Sequence, residues 1–484
     1  MNIADTRSRW LALYVLCLGD LMIVVDMTIV NVALPSIRDD LGFTETSLAW
    51  VVNAYLLTFG GFLLLGGRLG DLFGQRKLFL TGIAIFTAAS VACGVSTTQG
   101  MLIGARAVQG VGGAIVSAVA LSLIMGLFTE VGDRTKALGV FGFCMAGGGS
   151  VGVLLGGVLT DALSWHWIFL VNVPIGIAVY ILTLRLLPSV PGRKGAGRLD
   201  VAGAVSVTGA LMLAVYAIVN GNDNGWLSGE TLGLLAAAAA LLVLFVWLES
   251  RVAAPLMPLA ILKLRNIWAS NVIGVLWAAG MFAFFFLSAL YLQLVLGYTP
   301  LQVGLAFLPT NIIMGVFSLG ISAKLVMRFG IKPPLVAGFA LASAALLLFA
   351  RAPVDGSFAM DVLPAMILIG FGAGMAFNPV LLAAMSDVKP EDSGLASGVV
   401  NTAFMMGGAL GLAVLASLAA WRTNDLGGAK DLDALTSGYH LAFVVGAIFT
   451  VGAAVVGATL LRSPAHQQEM AAAHEPAIED AEAA

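Results

Sequence analysis

The first long apolar run of the chain reads LALYVLCLGDLMIVVDMTIVNVAL, from Leu11 to Leu34. A helix needs about 20 predominantly apolar residues to cross the hydrocarbon core of a bilayer, and this run is long enough. It does not alternate apolar and polar residues, as a strand of a membrane β-barrel would. The run follows a short polar start and has no small-residue cleavage site after it. It therefore predicts a first membrane span and not a removed signal peptide.

The composition extends this interpretation to the whole chain. Of the 484 residues, 60% are hydrophobic and only 11% are charged, and the mean hydropathy is +0.98. Soluble domains carry about a quarter charged residues, so the composition excludes a soluble enzyme, a nucleic-acid-binding protein and a disordered protein. It predicts an all-α integral membrane protein embedded in the lipid bilayer.

Similar apolar runs recur along the chain and predict fourteen transmembrane helices. The predicted spans are 11–34, 46–66, 78–97, 100–122, 138–160, 167–187, 202–220, 231–249, 270–293, 302–325, 335–350, 361–385, 396–419 and 439–461. With the N-terminus in the cytoplasm, 19 of the 24 Lys and Arg residues fall on the cytoplasmic side, four fall outside, and Arg106 lies within a span. Because cytoplasmic loops are enriched in basic residues, this predicts a multi-pass protein of the cell membrane with both termini in the cytoplasm.

Two cytoplasmic breaks divide the spans into groups. The first runs from Arg185 to Arg198 after six spans, and the second from Glu249 to Arg265 after two more. They predict an N-terminal six-helix half (1–187), a linker with two extra central helices (188–268), a C-terminal six-helix half (269–462) and a disordered cytoplasmic tail (463–484). The tail is rich in Ala and Glu, and such a segment has too few apolar residues to form a core.

A weak internal repeat relates the two predicted halves. RLGDLFGQR, from Arg68 to Arg76, aligns with KLVMRFGIK, from Lys324 to Lys332, so that Gly74 meets Gly330. Each segment lies in the cytoplasmic loop after the second span of its half. Parallel repeats with binding sites at their interface are typical of transporters.

Three charged residues lie well inside predicted spans: Asp20, Asp26 and Arg106. With a rise of 1.5 Å per residue, Asp26 lies about 12 Å and Arg106 about 9 Å below the outer surface, so the two are at similar depths. Asp20 lies nearly two helical turns further inward and would line the same cavity. A charge at this depth costs several kcal/mol unless it is paired or faces water, which makes all three functional candidates.

We expect these residues to form a proton-coupling site. Burial favours the neutral form of a carboxyl group, whereas a neighbouring arginine favours the charged form. A carboxyl group that is alternately shielded from water and exposed to it can therefore bind and release a proton. The alternative is a static buried ion pair that fixes the register of the helices.

Glycines in the fifth span recur at four-residue spacing. They are Gly148, Gly152 and Gly156, followed by Gly157. Small residues at this spacing let helix backbones approach closely, so this face of the span is predicted to pack tightly.

The remaining chemistry-bearing residues predict no metal and no cofactor. Cys17, Cys93 and Cys144 all fall within apolar runs, and their spacing indicates neither a disulfide framework nor a metal site. The sequence contains no GxxxxGK[ST] phosphate-binding loop, so direct coupling to ATP is not expected. A proton gradient is the expected energy source.

Several motifs occur in order along the chain. They are DMTIVNVALP (Asp26 to Pro35), GRLGDLFGQRK (Gly67 to Lys77), RAVQGVGGA (Arg106 to Ala114), GGSVGVLLGG (Gly148 to Gly157) and WHWIFLVNVPIG (Trp165 to Gly176). Together they resemble the Major Facilitator Superfamily, and more narrowly its fourteen-span drug:proton antiporter branch. The resemblance covers essentially the whole chain up to the tail. It implies proton-coupled efflux of lipophilic drugs or antibiotics by alternating access, with the glycines of the fifth span as the antiporter motif.

The resemblance also implies a cytoplasmic latch in the loop after the second span. Asp71 would contact the start of span 13 and Arg76 would complete a local ion pair, with Gly67 and Gly74 in the same motif. A carboxylate beside a helix N-terminus is favoured by about 0.3–1 kcal/mol at exposed sites. This contact would stabilise the outward-facing state.

The chain departs from the motifs at several positions. Val153 stands where the antiporter motif has proline, so a softer kink is expected there. Leu72 and Gln75 occupy positions where the loop motif usually has a basic residue, and the second copy of the loop has Met327 in place of an acidic residue.

A substrate cavity is predicted between the two halves. Its expected soft and aromatic wall residues are Trp277, Met281, Phe285, Tyr291, Met375, Phe404 and Met405. Its expected hydrogen-bonding residues are Asn31, Asn53, Gln109, Asn311, Asn378 and Asn401. Methionine and aromatic faces adapt to varied apolar ligands. The expected partners are a small lipophilic drug or antibiotic, protons and the bilayer, with no nucleic acid, and the protein is expected to be a monomer.

Two alternatives belong to other functional classes. A proton-coupled importer of a small metabolite on the same fold would share the loop and arginine motifs, but not the glycine series of the fifth span or the two extra spans. A membrane-embedded enzyme would need catalytic groups clustered at membrane depth. The four histidines lie instead in loops, at span ends or in the tail, at positions 166, 440, 466 and 474.

Overall fold

The computed structural model describes residues 6–128, 130–187, 200–252, 255–388 and 393–462, and no β-strand occurs within these ranges. Fourteen helices of at least 15 residues organise them. They are α1 (Thr6–Leu41), α2 (Trp50–Phe73), α3 (Gln75–Gly94), α4 (Gln99–Leu127), α5 (Val131–Ala162), α6 (Asn172–Leu186), α7 (Val201–Asn224), α8 (Gly229–Arg251), α9 (Arg265–Leu290), α10 (Pro300–Val316), α11 (Lys332–Phe349), α12 (Leu363–Met385), α13 (Ser393–Leu426) and α14 (Leu432–Leu460).

Thirteen helical stretches of the described chain are long and apolar enough to cross a membrane. The predicted tenth span, 302–325, falls on α10, which is a shorter apolar helix. A π-helical turn, Phe317–Ile321, and a short helix, Ser322–Phe329, continue it. The structure therefore has the all-helical membrane architecture that the sequence predicts, while a count of fourteen spans stays a prediction.

Polar residues at the helix ends explain where several helices begin. The side chains of Thr98, Ser228 and Thr299 accept hydrogen bonds from backbone N–H groups in the first turns of α4, α8 and α10. Such caps satisfy donors that have no partner within the helix. At the other end, Gly74 after α2 and Gly330 after Phe329 have φ angles of 92° and 80°. The two positions that the internal repeat aligns therefore share a backbone conformation that favours glycine.

The helices pack as two groups with a pair beside them. In the first group α1 packs against α5 and α6, and α4 packs against α2 and α3. In the second, α9 packs against α13 and α14, and α11 packs against α12 and α14. The groups meet where α5 packs against α10 and α2 against α13. Helices α7 and α8 pack on each other, and α7 contacts both α2 and α13 beside the second of these seams.

The predicted disordered tail, 463–484, and most of the first basic loop, 188–199, lie outside the described residues.

Candidate functional site

Asp26 of α1 and Arg106 of α4 form an ion pair in the interior of the first helix group. The distance from Arg106 Nη1 to Asp26 Oδ2 is 2.5 Å, and the two side chains are 0% and 1% exposed. The sequence placed these residues at similar depths, and the fold of the first group brings them into contact. A buried pair of this kind is tolerated only when further hydrogen bonds satisfy its remaining polar atoms.

Neutral polar side chains supply those hydrogen bonds. Gln109 Nε2 and Asn172 Nδ2 each donate to Asp26 Oδ1 at 2.8 Å. Arg106 Nη1 also donates to Gln109 Oε1 at 2.7 Å. Gln109 Nε2 donates further to Ser90 Oγ at 2.8 Å. The carboxylate of Asp26 is therefore held by donors from α4 and α6, and the network extends into α3.

The guanidinium group of Arg106 also contacts the backbone of α2 and two aromatic rings. Its Nε donates to the backbone carbonyl of Val51 at 3.0 Å. Its Cζ lies 4.3 Å from the centre of the Tyr55 ring and 5.6 Å from that of Phe169. Cation–π contacts of a desolvated guanidinium contribute about 2 kcal/mol. Protonation of Asp26 would neutralise its attraction for Arg106 at the point where α1, α4 and α6 meet.

Asp20, the second predicted coupling residue, lies apart from this pair. It is 5% exposed and accepts a short hydrogen bond from the hydroxyl of Ser117 on α4. Asp20 and Asp26 of α1 therefore both bind α4, at positions nearly two turns apart.

Two polar side chains of α2 are buried without hydrogen-bond partners among the described residues. Asn53 is 0% exposed and both atoms of its amide group are unsatisfied, as is the hydroxyl of Tyr55. Unpaired buried groups of this kind carry a desolvation penalty of about 1–3 kcal/mol. Asn53 is one of the predicted substrate-cavity residues, and a bound polar group would relieve the penalty.

The glycines of α5 face two different helices. A Cβ atom at Gly152 would lie 2.8 Å from the carbonyl oxygen of Val25, and one at Gly156 would lie 2.6 Å from that of Ile29. Gly148 also faces α1. At Gly157 a Cβ would lie 2.7 Å from the carbonyl oxygen of Pro300 at the start of α10. The glycine series therefore places α5 between α1 of the first group and α10 of the second.

The position that replaces the motif proline also lies at this seam. Val153 is 1% exposed, and its carbonyl oxygen is 3.0 Å from where a Cβ would stand at Gly304 of α10. Helix α5 runs through Val153 without interruption.

The predicted cytoplasmic latch is only partly described. Asp71 lies in the last turn of α2, and its side chain falls outside the described residues, as do those of Ser393 and Gly394. Arg76 Nη2 donates to the backbone carbonyl of Leu184 near the end of α6, at 2.6 Å. Gly67, in the same loop motif, has open space where a Cβ would be added. The ion pair between Asp71 and Arg76 stays a prediction.

The predicted cavity residues of the second helix group fall into two sets. Trp277 and Tyr291 are 2% and 1% exposed. They pack against Phe339 and Phe349, and the hydroxyl of Tyr291 donates to the carbonyl of Pro353 at 2.6 Å. The partly buried positions are Met281, Phe285, Met375, Asn378, Asn401 and Met405.

Three further predicted cavity residues have contacts that can be described. The side-chain oxygen of Asn311 is 3.8 Å from where a Cβ would stand at Gly149, at the seam of α5 and α10. Phe404 packs against Phe282 and Phe377. Asn31 donates to the carbonyl of Thr28 in its own helix, at 3.3 Å. The assignment of all these residues to a substrate cavity stays a prediction.

Reasoning from the sequence missed three polar residues that bind the predicted coupling residues or their partner Gln109. Asn172 had a signal, because it is an amide within an apolar span and lies in the motif WHWIFLVNVPIG. Ser90 and Ser117 had none, since serines in membrane helices commonly bond to their own backbone, as Ser90 also does to Phe86. Gln109, predicted for the substrate cavity, binds Asp26 and Arg106, and its contact with a substrate stays a prediction.

Residues 16–412 match the Major Facilitator Superfamily. The chain belongs to this superfamily. It is therefore a multi-pass membrane transporter and not an enzyme. A crystal structure of the nucleoside transporter NupG, in its D323A variant, has the same fold. The TM-score is 0.64 at 14% sequence identity, and the similarity covers 93% of this chain and 100% of that one.

Several curated proteins of the superfamily are similar over nearly their full length. The puromycin resistance protein pur8 of Streptomyces alboniger is 38% identical, over 93% of this chain and 90% of that protein. The cephamycin export protein CmcT of Amycolatopsis lactamdurans is 37% identical, over 94% and 93%. The lincomycin resistance protein of Streptomyces lincolnensis is 36% identical, over 91% and 89%.

Proposed function

We propose that this chain exports lipophilic drugs or antibiotics in exchange for protons, by alternating access between its two helix groups. The similar proteins named for resistance to puromycin and lincomycin and for export of cephamycin support the substrate class. The glycine face of α5, which lies between α1 and α10, supports an antiporter of this branch.

The buried Asp26–Arg106 pair is the observation that supports proton coupling. In the proposed cycle the drug leaves from the outward-open state and Asp26 takes up a proton from the outer side. Neutral Asp26 binds Arg106 less strongly, which favours the rearrangement of the helices around it. When the cavity opens to the cytoplasm, the proton leaves and the ion pair forms again. Asp20, held by Ser117, is proposed as a second proton site on the same helix.

The energy for this cycle would come from the proton gradient. One pH unit supplies about 1.4 kcal/mol per proton, and 100 mV supplies about 2.3 kcal/mol per charge. One proton therefore drives a gradient of a neutral drug of about tenfold from one pH unit alone, about 50-fold from 100 mV alone and about 500-fold from both together.

We place the protein in the cell membrane as a monomer with both termini in the cytoplasm. The proposed halves are 1–187 and 269–462, with α7 and α8 between them in the chain. Asp71 and Arg76 are proposed as the cytoplasmic latch, near the start of α13.

Everted membrane vesicles test this proposal directly. With a respiration-driven proton gradient, wild-type protein should accumulate puromycin, and addition of puromycin should dissipate the pH gradient reported by acridine orange. Asp26→Asn should abolish both signals in protein that still folds and inserts into the membrane, with lower thermal stability because Arg106 loses its anionic partner. Asp425→Asn is the matched control, because it removes an exposed carboxylate that pairs with Arg422 at 3.1 Å.

Different results would contradict proton coupling through Asp26 and drug export, the two parts of this proposal. Normal drug-stimulated proton exchange in Asp26→Asn would reject Asp26 as the essential carrier. Depletion instead of accumulation in everted vesicles would indicate an importer. If puromycin gives no signal, a panel of antibiotics and dyes that is negative throughout would reject drug export.

A further inference from the structure

Two acidic residues meet where α7 begins and α8 ends. Asp200 directly precedes α7, Glu249 lies in the last turn of α8, and each is only 4% exposed. A Cβ atom at Gly203 would clash with Oδ2 of Asp200 and would lie 3.0 Å from Oε1 of Glu249. The two oxygens therefore lie beside the same point, and the two carboxyl groups are within hydrogen-bonding reach of each other. The predicted topology places this pair at the cytoplasmic end of the two extra helices.

The other oxygen of each acid has a backbone donor. Oδ1 of Asp200 accepts from the N–H of Gly203 at 2.7 Å, which caps α7. Oε2 of Glu249 accepts from the N–H of Met257 at 3.1 Å. Oδ2 of Asp200 and Oε1 of Glu249 are buried and have no hydrogen-bond donor among the described residues. The pair therefore lacks one hydrogen, and its place is between these two facing oxygens.

No basic side chain of the described residues forms an ion pair with either acid. On the elements around the pair, Arg68 of α2, Arg251 of α8 and Lys263 of the connection to α9 are exposed. The guanidinium of Arg251 lies over the ring of Trp247, 5.8 Å from its centre. Helix α13, which also packs against α7, has no charged residue before Arg422. Two ionised carboxylates would therefore repel each other in a contact that is shielded from water.

One shared proton satisfies every buried oxygen of this pair. With a proton on Oε1, Glu249 donates to Oδ2 of Asp200 and still accepts from Met257 through Oε2. The helix dipoles favour this assignment, because a carboxylate is stabilised at the N-terminus of α7 and destabilised in the last turn of α8. No third acid, thiol or imidazole completes a metal site with the pair in the described part of the chain. A calcium ion, which takes six or more oxygen ligands, would have too few of them here.

The hydrogen bond to Met257 fixes the connection between α8 and α9. Leu256 of this connection packs with Leu65 of α2 and Ala204 of α7. Together with Met257 it lines an apolar cavity of about 410 Å³. Helices α7 and α8 form another wall of the cavity, and α2 and α13 line it from the two helix groups. The position of Glu249 therefore determines how the connection closes the space beside the seam.

We propose that Asp200 and Glu249 share one proton, and that this protonated pair holds the connection against α7 and α8. The pair is separate from the network of Asp26, so it does not depend on the proposed export function. When both acids ionise, their repulsion moves Glu249 away from Asp200 and withdraws the acceptor of the Met257 N–H. The contact is therefore present at low pH and lost as the pH rises, which loosens this wall of the cavity.

Infrared spectroscopy of the full-length protein in phosphatidylcholine nanodiscs at neutral pH tests the shared proton. The wild type should show a carbonyl band of a protonated carboxylic acid that Glu249→Gln removes. Asp200→Asn should remove the same band, because its amide can donate to Glu249 and leave that acid ionised. The double variant should lose no more than either single variant. Glu230→Gln is the matched control, since it removes an exposed acid in the first turn of α8.

The proposal is wrong if Glu249→Gln leaves the bands of protonated acids unchanged. It is also wrong if the wild type gains such a band only after addition of a chelator, which would indicate a bound metal ion. A band that appears only in Arg198→Gln would overturn it too, because an ion pair with that residue, which lies outside the described chain, would then hold the acids.

Hydrogen–deuterium exchange at the amide of Met257 tests the effect on the connection. Relative to an unstructured reference peptide, the wild type should exchange about fivefold faster when the pH is raised from about 5 to about 9, as expected for one lost hydrogen bond. Glu249→Gln should stay slow at both pH values, since its amide can donate to Asp200 and accept from Met257. Glu249→Leu should exchange fast at both.

Two results would contradict the pH-dependent contact. One is wild-type exchange at Met257 that does not change with pH. The other is a pH dependence in Glu249→Gln equal to that of the wild type. The wild-type titration needs no substitution, so it decides the question even where a variant fails to fold.

Discussion

The two helix groups share one superfamily fold but have different interiors. The first group contains a buried ion pair, Asp26 with Arg106, within a network of amide and hydroxyl side chains. Among the described residues of α9 to α14 no charged side chain is buried. That interior contains aromatic rings instead, with Phe284 packed against Phe349 at 5.4 Å and Phe349 against Phe443 at 5.2 Å. The contrast supports the proposal that proton coupling takes place in the first group.

The two interiors also differ in what holds them together. Aromatic rings carry no formal charge, so weakening one of their contacts leaves no unpaired ion in the interior. In the first group, each hydrogen-bond donor to Asp26 offsets part of the free-energy cost of burying its carboxylate. Removal of one donor therefore leaves a charge in the apolar interior with too few partners. Substitutions in the first group should therefore have larger effects on stability than comparable ones in the second.

The largest effect is expected for Arg106→Met, which leaves Asp26 without its cationic partner. Removal of one member of a buried ion pair costs about 3–5 kcal/mol, and this should appear as a lower free energy of unfolding by steric trapping in bilayers. Arg422→Met, which breaks the exposed pair with Asp425, should cost no more than about 1 kcal/mol. Equal losses in the two variants would contradict a special role for burial.

A smaller effect is expected for Asn172→Leu, which removes one donor to Asp26 and keeps the ion pair. Hydrogen bonds to charged groups contribute about 1.5–3 kcal/mol. The matched control is Asn220→Leu, because Asn220 bonds only to the carbonyl of Tyr216 in its own helix, at 2.8 Å. Asn172→Leu should also shift the pH dependence of drug transport, and an unchanged profile would remove Asn172 from the coupling network.

The smallest effect is expected in the second group, for Thr450→Val. Its hydroxyl pairs with that of Ser343 at 2.7 Å between α14 and α11. Hydrogen bonds between membrane helices average about 0.6 kcal/mol, so the loss of stability should be of that order and proton coupling should be unchanged. Thr459→Val, at an exposed position bonded to its own helix, is the control. A loss of proton coupling in Thr450→Val would contradict the proposal that coupling depends on the first helix group alone.

The sequence predicted the fold well because membrane spans depend on local composition. Long apolar runs separated by basic loops predict a span on each of the fourteen long helices of the described chain, while several bounds differ from the observed ones by about two helical turns. Only the tenth span is harder to assign, since a π-helical turn follows α10 at Val316. The sequence also singled out Asp26 and Arg106, because charge at membrane depth is rare, and the structure pairs them.

The neighbours of those two residues were much harder to predict. Gln109 is three residues from Arg106, and the sequence did not show that its side chain belongs to the ion-pair network. Nothing in the local sequence distinguishes Ser90 or Ser117 from other serines in apolar helices. The role of such residues depends on which helix lies opposite, and a single sequence does not contain that information.

By itself the sequence determined that this protein is helical, crosses the membrane many times and places Asp20, Asp26 and Arg106 inside its spans, because those properties follow from residue type and spacing along one chain. Only the tertiary structure decided which groups surround Asp26, since Arg106 and Asn172 are 80 and 146 residues away from it in the chain. It also decided that α7 and α8 close a cavity over the seam between the two helix groups. Both features arise from the packing of helix faces, which is set by side-chain shape across the whole bundle.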